Sequence, residues 1–150
     1  MSADRNTTAL LQKWADGKAT LKDVRGYSDE ELYALAKLAY FFYYQGRLGE
    51  ARVLFQGLYA VDPVNAYFAK ALGVVEFAAG NAQGAVSAYE VAIKLEPDDP
   101  SAYVGRAEVR ISQGQRTQAV EDLRRALELT QDGDPMNVKV SSMLDGLGRR

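Results

Sequence analysis

The chain has 150 residues, 47% of them hydrophobic and 25% charged, enough for one domain with a real core and unlike a disordered or fibrous chain. Its 18 basic and 20 acidic residues leave a net charge of -2 with no long single-sign run, so nucleic acid is not an expected partner. Cysteine and histidine are both absent, which excludes disulfides, thiolate and imidazole metal sites, and Ser-His or Cys-His catalysis.

No apolar stretch approaches the roughly 18 residues of a membrane span, and the opening MSADRNTTALLQKW shows no basic region followed by an apolar run. A cytoplasmic protein with no membrane contact is expected. The first predicted element is a short helix in TTALLQKWADG, stopped at Gly17, with Leu10, Leu11 and Trp14 on one face. That face suits either a cap on the following helices or the contact of a homodimer. Next, Ser28 with Glu31 three residues on predicts a capping box that opens a longer helix.

From there the sequence repeats. Gly46, Gly80 and Gly114 are 34 residues apart, as are Ala51, Ala85 and Ala119, and Ala39, Gly73 and Ala107. Phe55, Tyr89 and Leu123 keep the same step, as do Leu58, Ala92 and Ala126, and Pro63 with Pro97. This pattern resembles the tetratricopeptide repeat, a helix, a turn and an antiparallel second helix. Small residues let the two helices approach, large ones fill the gap to the next repeat, and the glycines and prolines end the helices.

The expected fold is therefore all-α, a solenoid of three repeats at residues 32–65, 66–99 and 100–133. Residues 1–31 form the N-terminal cap or dimer segment, and residues 134–150 a C-terminal capping helix. The third repeat is degenerate, with Gln131 at the proline position and Arg106 where the others have Leu38 and Leu72. After Asp134-Pro135, the helical spacing of Met136, Val140, Met143, Leu144 and Leu147 predicts the closing helix.

The functional signal is the run Tyr40-Phe41-Phe42-Tyr43-Tyr44, whose rings point all round a helix and cannot all enter one core. On the helical wheel Tyr33, Ala36, Tyr40, Tyr43 and Tyr44 share one face. Phe42 falls with Leu35 and Leu38 in a stripe expected to be buried, and Phe41 lies between the two faces. In the repeat frame the first set lines the concave groove, followed in the second repeat by Tyr67, Lys70, Val74 and Phe77. Such a groove suits an extended peptide with apolar side chains, since each ring offers area and a hydroxyl at low entropic cost. Packing of the tyrosines on the N-terminal segment or on a second copy is the alternative. Phe42, Glu76 and Arg110 occupy one repeat position, where the opposite charges either pair with each other or stay solvated.

No catalytic constellation appears and no cofactor is expected. Asp98-Asp99 and Glu30-Glu31 sit at helix starts, where acidic residues favour the macrodipole, and GNAQGA at residues 80–85 lacks the strand and Lys-Ser/Thr of a phosphate loop. A clamp for a C-terminal carboxylate is disfavoured, since Ala36, Tyr40, Ala71, Ser101 and Gly105 offer it no cation or amide.

The stretch from Gly17 to Leu129 resembles one branch of the repeat proteins, the class II chaperones that hold translocators of bacterial type III secretion. The resemblance is carried by Gly17, Thr20-Leu21, Gly26 and Ser28 ahead of Leu32-Tyr33-Ala34-Leu35-Ala36, then Gly46, Ala51, Phe55 and Asp62-Pro63. It implies a non-enzymatic cytosolic chaperone that holds an extended translocator segment in its groove through Tyr33, Tyr40, Tyr44, Tyr67, Val74 and Phe77. It also implies a dimer contact at Leu10 and Trp14. A generic repeat scaffold outside secretion is the other reading.

Overall fold

The computed structural model describes residues 2–148, with side chains from Thr8 onward, so the first residue and the last two of the assigned caps lie outside the described residues. Among the described residues the chain runs through nine helices and no strand. Helix α1 (Ser2–Ala15) packs on α2 (Leu21–Arg25), and α2 in turn touches α4. The repeat helices are α3 (Asp29–Tyr44), α4 (Leu48–Val61), α5 (Ala66–Ala78), α6 (Ala82–Leu95), α7 (Pro100–Ser112) and α8 (Arg116–Glu128), followed by α9 (Pro135–Gly148). From α3 onward each helix lies against its chain neighbours, α5 also touches α7 and α7 touches α9, which is the connectivity of a solenoid. No helix among the described residues is long and apolar enough to cross a membrane.

Local chemistry sets the boundaries. Ser28 Oγ accepts from the Glu31 N–H at 3.2 Å while the Ser28 N–H donates to Glu31 Oε2 at 2.9 Å, the capping box expected of α3. Asn65 and Asp99 cap α5 and α7 by accepting from the N–H groups of Phe68 and Ser101. Between α3 and α4, Gly46 takes φ 74°, a conformation costly for a residue with a Cβ, and this lets the Arg47 N–H reach back to the Phe42 carbonyl at 2.9 Å. Gly80 and Gly114 repeat this turn.

The core comes in three linked clusters. Leu32, Ala39, Phe55, Leu58 and Phe68 fill the first, Ala69, Ala85, Tyr89 and Val109 the second, and Tyr103, Ala107, Leu123 and Val140 the third. Alanines on facing helices bring the backbones close, and one large residue from each second helix fills the remaining space. At the C-terminal end Val140 is fully buried, with Met136, Met143, Leu144 and Leu147 packed around it against α8. Where a proline is missing at Gln131, the turn is closed by the Gln131 N–H donating to Asp134 Oδ2 at 3.2 Å and Asn137 Nδ2 donating to Thr130 Oγ1 at 3.1 Å.

Two expectations are corrected. Leu35 and Leu38, read as a buried stripe beside Phe42, are each 42% exposed, and only Phe42 packs on the core. The reason lies in the solenoid: that face of a repeat's first helix is covered by the second helix of the preceding repeat. Leu72, one repeat beyond Leu38, packs in this way on the first core cluster, which includes Ala51, Phe55 and Leu58 of α4. Helix α3 has no preceding repeat, and neither α1 nor α2 packs along it.

Glu76 and Arg110 do not pair with each other, nor are they simply solvated. Buried Glu76 accepts from Arg52 Nε at 3.0 Å, Gln56 Nε2 at 2.9 Å and Asn81 Nδ2 at 2.7 Å. Arg110 instead donates to Asp122 Oδ2 at 2.7 Å, and Arg106 meets the same carboxylate at 3.0 and 2.6 Å. Each charge is satisfied within its own part of the stack, which is why Arg106 sits at a position that is leucine in the other repeats.

Candidate peptide-binding groove

Helix α3 sends Tyr33, Tyr40, Tyr43 and Tyr44 to one side, and α5 places Tyr67 beside them. The Tyr33 ring lies 5.4 Å from Tyr67, Tyr40 lies 6.3 Å from Tyr67 and 6.2 Å from Tyr44, and Tyr43 lies 5.3 Å from Tyr44. Five phenols thus form one continuous wall. Within it the rings differ in role. Tyr44 is 77% exposed, whereas Tyr40 is half-buried and meets Phe55 of the core edge-on at 4.9 Å. Burial pushes the Tyr40 phenol well above its usual value, and burial raises Tyr67 too, so both are neutral hydrogen-bonding groups at physiological pH. Tyr33 accepts from Asn65 Nδ2 at 3.1 Å.

The remaining sequence-derived positions divide. Ala36 is only 1% exposed and belongs to the first core cluster, underneath the rings. Val74 and Phe77 are half-buried along α5. Lys70 Nζ donates to Asp99 Oδ2 at 2.7 Å and Ser101 Oγ at 2.9 Å, linking α5 to the start of α7. Burial alone would raise the Asp99 carboxyl, but Lys70 and Ser101 outweigh it and hold the group below its ordinary range. Leu10 is half-buried on α1, while Leu11 and Trp14 of the same helix are exposed.

Two hollows of about 370 Å³ each open along this side. One is bounded by Tyr33, Asn65, Tyr67, Lys70 and Glu96. The other has Tyr40, Lys70, Val74, Tyr89, Ser101, Val104, Gly105, Glu108, Met136 and Lys139 around it. Sequence reasoning left Tyr89 and Gly105 to the scaffold, and assigned Met136 and Lys139 no part in a groove. The available signal was glycine: Gly73 and Gly105 lie inside helices at a cost of about 1 kcal/mol each against alanine, which marks a close approach. The approaching group is the Tyr89 ring, which a Cβ at Gly73 would meet at 2.9 Å and one at Gly105 at 2.4 Å.

A stack of paired helices with an aromatic inner wall defines a class, the repeat solenoids that hold peptides in a groove. Profiles of the tetratricopeptide repeat match residues 33–100 and 76–136, together most of the chain, and the chain belongs to the tetratricopeptide-repeat family. Within it, the chain is 26% identical over 140 residues to the low calcium response locus protein H of Yersinia pestis, covering 91% of this chain and 83% of that one. It superposes on the type III secretion translocator chaperone SycD of Yersinia enterocolitica with a TM-score of 0.80 and 26% identity, over 85% of this chain and 98% of that one. SycD in complex with a peptide of the translocator YopD gives 0.76 at 26% identity, over 81% and 95% of the two chains. The resemblance to translocator chaperones read from the N-terminal block is borne out by these relatives.

Proposed function

We propose that the chain is a cytoplasmic chaperone that holds an extended apolar segment of a translocator-like client against the tyrosine wall, without catalysis. The observation that carries this reading is the contiguous set of rings, with Tyr33, Tyr44 and Tyr67 exposed, on the face that a repeat solenoid turns inward, together with a structural relative that holds a translocator peptide. A client bound for a membrane has apolar stretches that aggregate in water, and covering them lowers the free, sticky population. Tyr33, Tyr40, Tyr43, Tyr44 and Tyr67 supply contact area and hydroxyls, Val74 and Phe77 an apolar continuation, Lys70 a charge already engaged within the chain, and Ala36 the support beneath. The segment 134–150 closes the repeat stack, and within 1–31 Leu10, Leu11 and Trp14 provide the surface for a second copy.

The test is binding to overlapping labelled peptides tiled across YopD. The wild-type chain is expected to select a short apolar stretch, and Tyr44→Ala to weaken that binding by about tenfold or more at unchanged helical content. Absence of binding by the wild type, or equal binding by the variant, contradicts the reading.

A further inference from the structure

The hollow beside Tyr40 and Val74 is lined by one hydroxyl that makes no hydrogen bond among the described residues, that of Tyr89. Tyr89 rises from α6, and at 4% exposure its ring is held closely between Gly73 of α5 and Gly105 of α7. Its hydroxyl donates to no group among the described residues, yet no described side-chain polar atom is both sealed from solvent and unpartnered, so the oxygen opens on the hollow it lines. Every cation there is already paired: Lys70 with Asp99 and Ser101, and Lys139 Nζ with Glu108 Oε1 at 2.7 Å. Burial raises the phenol, with the Glu108 carboxylate adding to the effect, so the group remains a neutral donor.

Resting on the peptide-groove reading above, we infer that Tyr89 is a specificity-determining donor of the groove, which takes a main-chain carbonyl of the client while an uncharged aliphatic side chain fills the hollow. The walls offer a charged side chain no free partner, because Lys70, Lys139 and Glu108 are already paired, and so they favour an uncharged one. Val74, Val104 and Met136 offer apolar contact instead, and Met136 adapts to the shape of what enters. On binding, the Tyr89 hydroxyl exchanges the solvent in the hollow for the client carbonyl, a modest net gain, whereas a client that leaves it covered and unpaired incurs its desolvation cost. The site also joins α9 to the groove through Met136 and Lys139, so the closing helix takes part in recognition.

Tyr89→Phe removes only the oxygen, and the first repeat already carries Phe55 at the same repeat position, so the packing is preserved. With the peptide selected from the YopD tiling, this variant is expected to bind about fivefold to tenfold more weakly, with its melting temperature equal to or above that of the wild type. Replacing the peptide's amides one by one with esters, which are poorer acceptors, is expected to reveal one linkage whose change weakens binding to the wild type but not to Tyr89→Phe. Equal affinity of wild type and Tyr89→Phe, or ester effects identical in the two proteins, overturns the inference while leaving the groove reading intact. A wild type that binds no peptide overturns both.

Discussion

Tyr40 and Tyr44 are four residues apart on the same face of α3, and the structure separates what they do. The Tyr40 ring packs edge-on against Phe55 at 4.9 Å and stands against the first core cluster, whereas Tyr44 projects into solvent. Truncating Tyr40 removes core contacts as well as groove surface. Tyr40→Ala is therefore expected to lose about 2–4 kcal/mol in urea unfolding, and Tyr44→Ala less than about 0.5 kcal/mol. Equal stability losses for the two would show that the Tyr40 ring is not part of the core. The helical wheel separated the tyrosine face from Phe42 correctly, because both follow from the 3.6-residue period. It failed for Leu35 and Leu38, since what covers a face depends on the neighbouring helix and not on the helix's own pattern. The wheel also left Phe41 between two faces. It is 55% exposed, while Val75 and Val109, its counterparts in the next repeats, are fully buried.

Among the elements, α5 carries an acidic residue where an apolar one is expected, and the reason emerges only from its neighbours. Glu76 reaches Arg52 and Gln56 of α4 and Asn81 at the start of α6, so one carboxylate ties three helices. Burial pushes this carboxyl up, but the hydrogen bonds from Arg52, Gln56 and Asn81 prevail and hold it below its ordinary value. A carboxyl depressed in the folded state contributes stability that is fully present above its unfolded pKa, about 4.3, and is lost as pH falls through the folded value. Wild-type stability should thus fall on acidification below about pH 4.3, and Glu76→Gln should show a lower plateau at neutral pH and a shallower acid limb. Parallel acid limbs in denaturant titrations of the two proteins would contradict the assignment. The repeat period made the helices and their order legible, with their ends marked by Gly46, Gly80, Gly114, Pro63 and Pro97. The partners of Glu76 and Arg110 were not legible, because they come from other helices at separations that the period does not fix.

Taken whole, the molecule places the first helices of successive repeats side by side, so that α3, α5 and α7 share one surface, with Tyr89 of α6 reaching between two of them and α9 closing the end. The tyrosine half of that surface was readable from α3 and α5. Of the second hollow, Tyr40, Lys70 and Val74 were readable but Tyr89, Met136 and Lys139 were not, since they depend on a ring passing between two glycines and on α9 turning toward α7. At the other end α1 packs on α2 and leaves Leu11 and Trp14 exposed, while α3 keeps a bare apolar face where a preceding repeat would lie. The groove and this bare face are separate surfaces, and they make different demands on experiment.

The central claim is that the inner surface, and no other, receives an extended peptide. Its most direct test is backbone amide chemical-shift mapping of the labelled chain on titration with the peptide selected from the YopD tiling. Shifts are expected to concentrate on Tyr33, Tyr40, Tyr44, Tyr67, Val74 and Tyr89, and to be small at exposed Val53 on α4 and at Trp14. Shifts centred on α1 and the bare face of α3, with the tyrosine wall unmoved, would contradict the account.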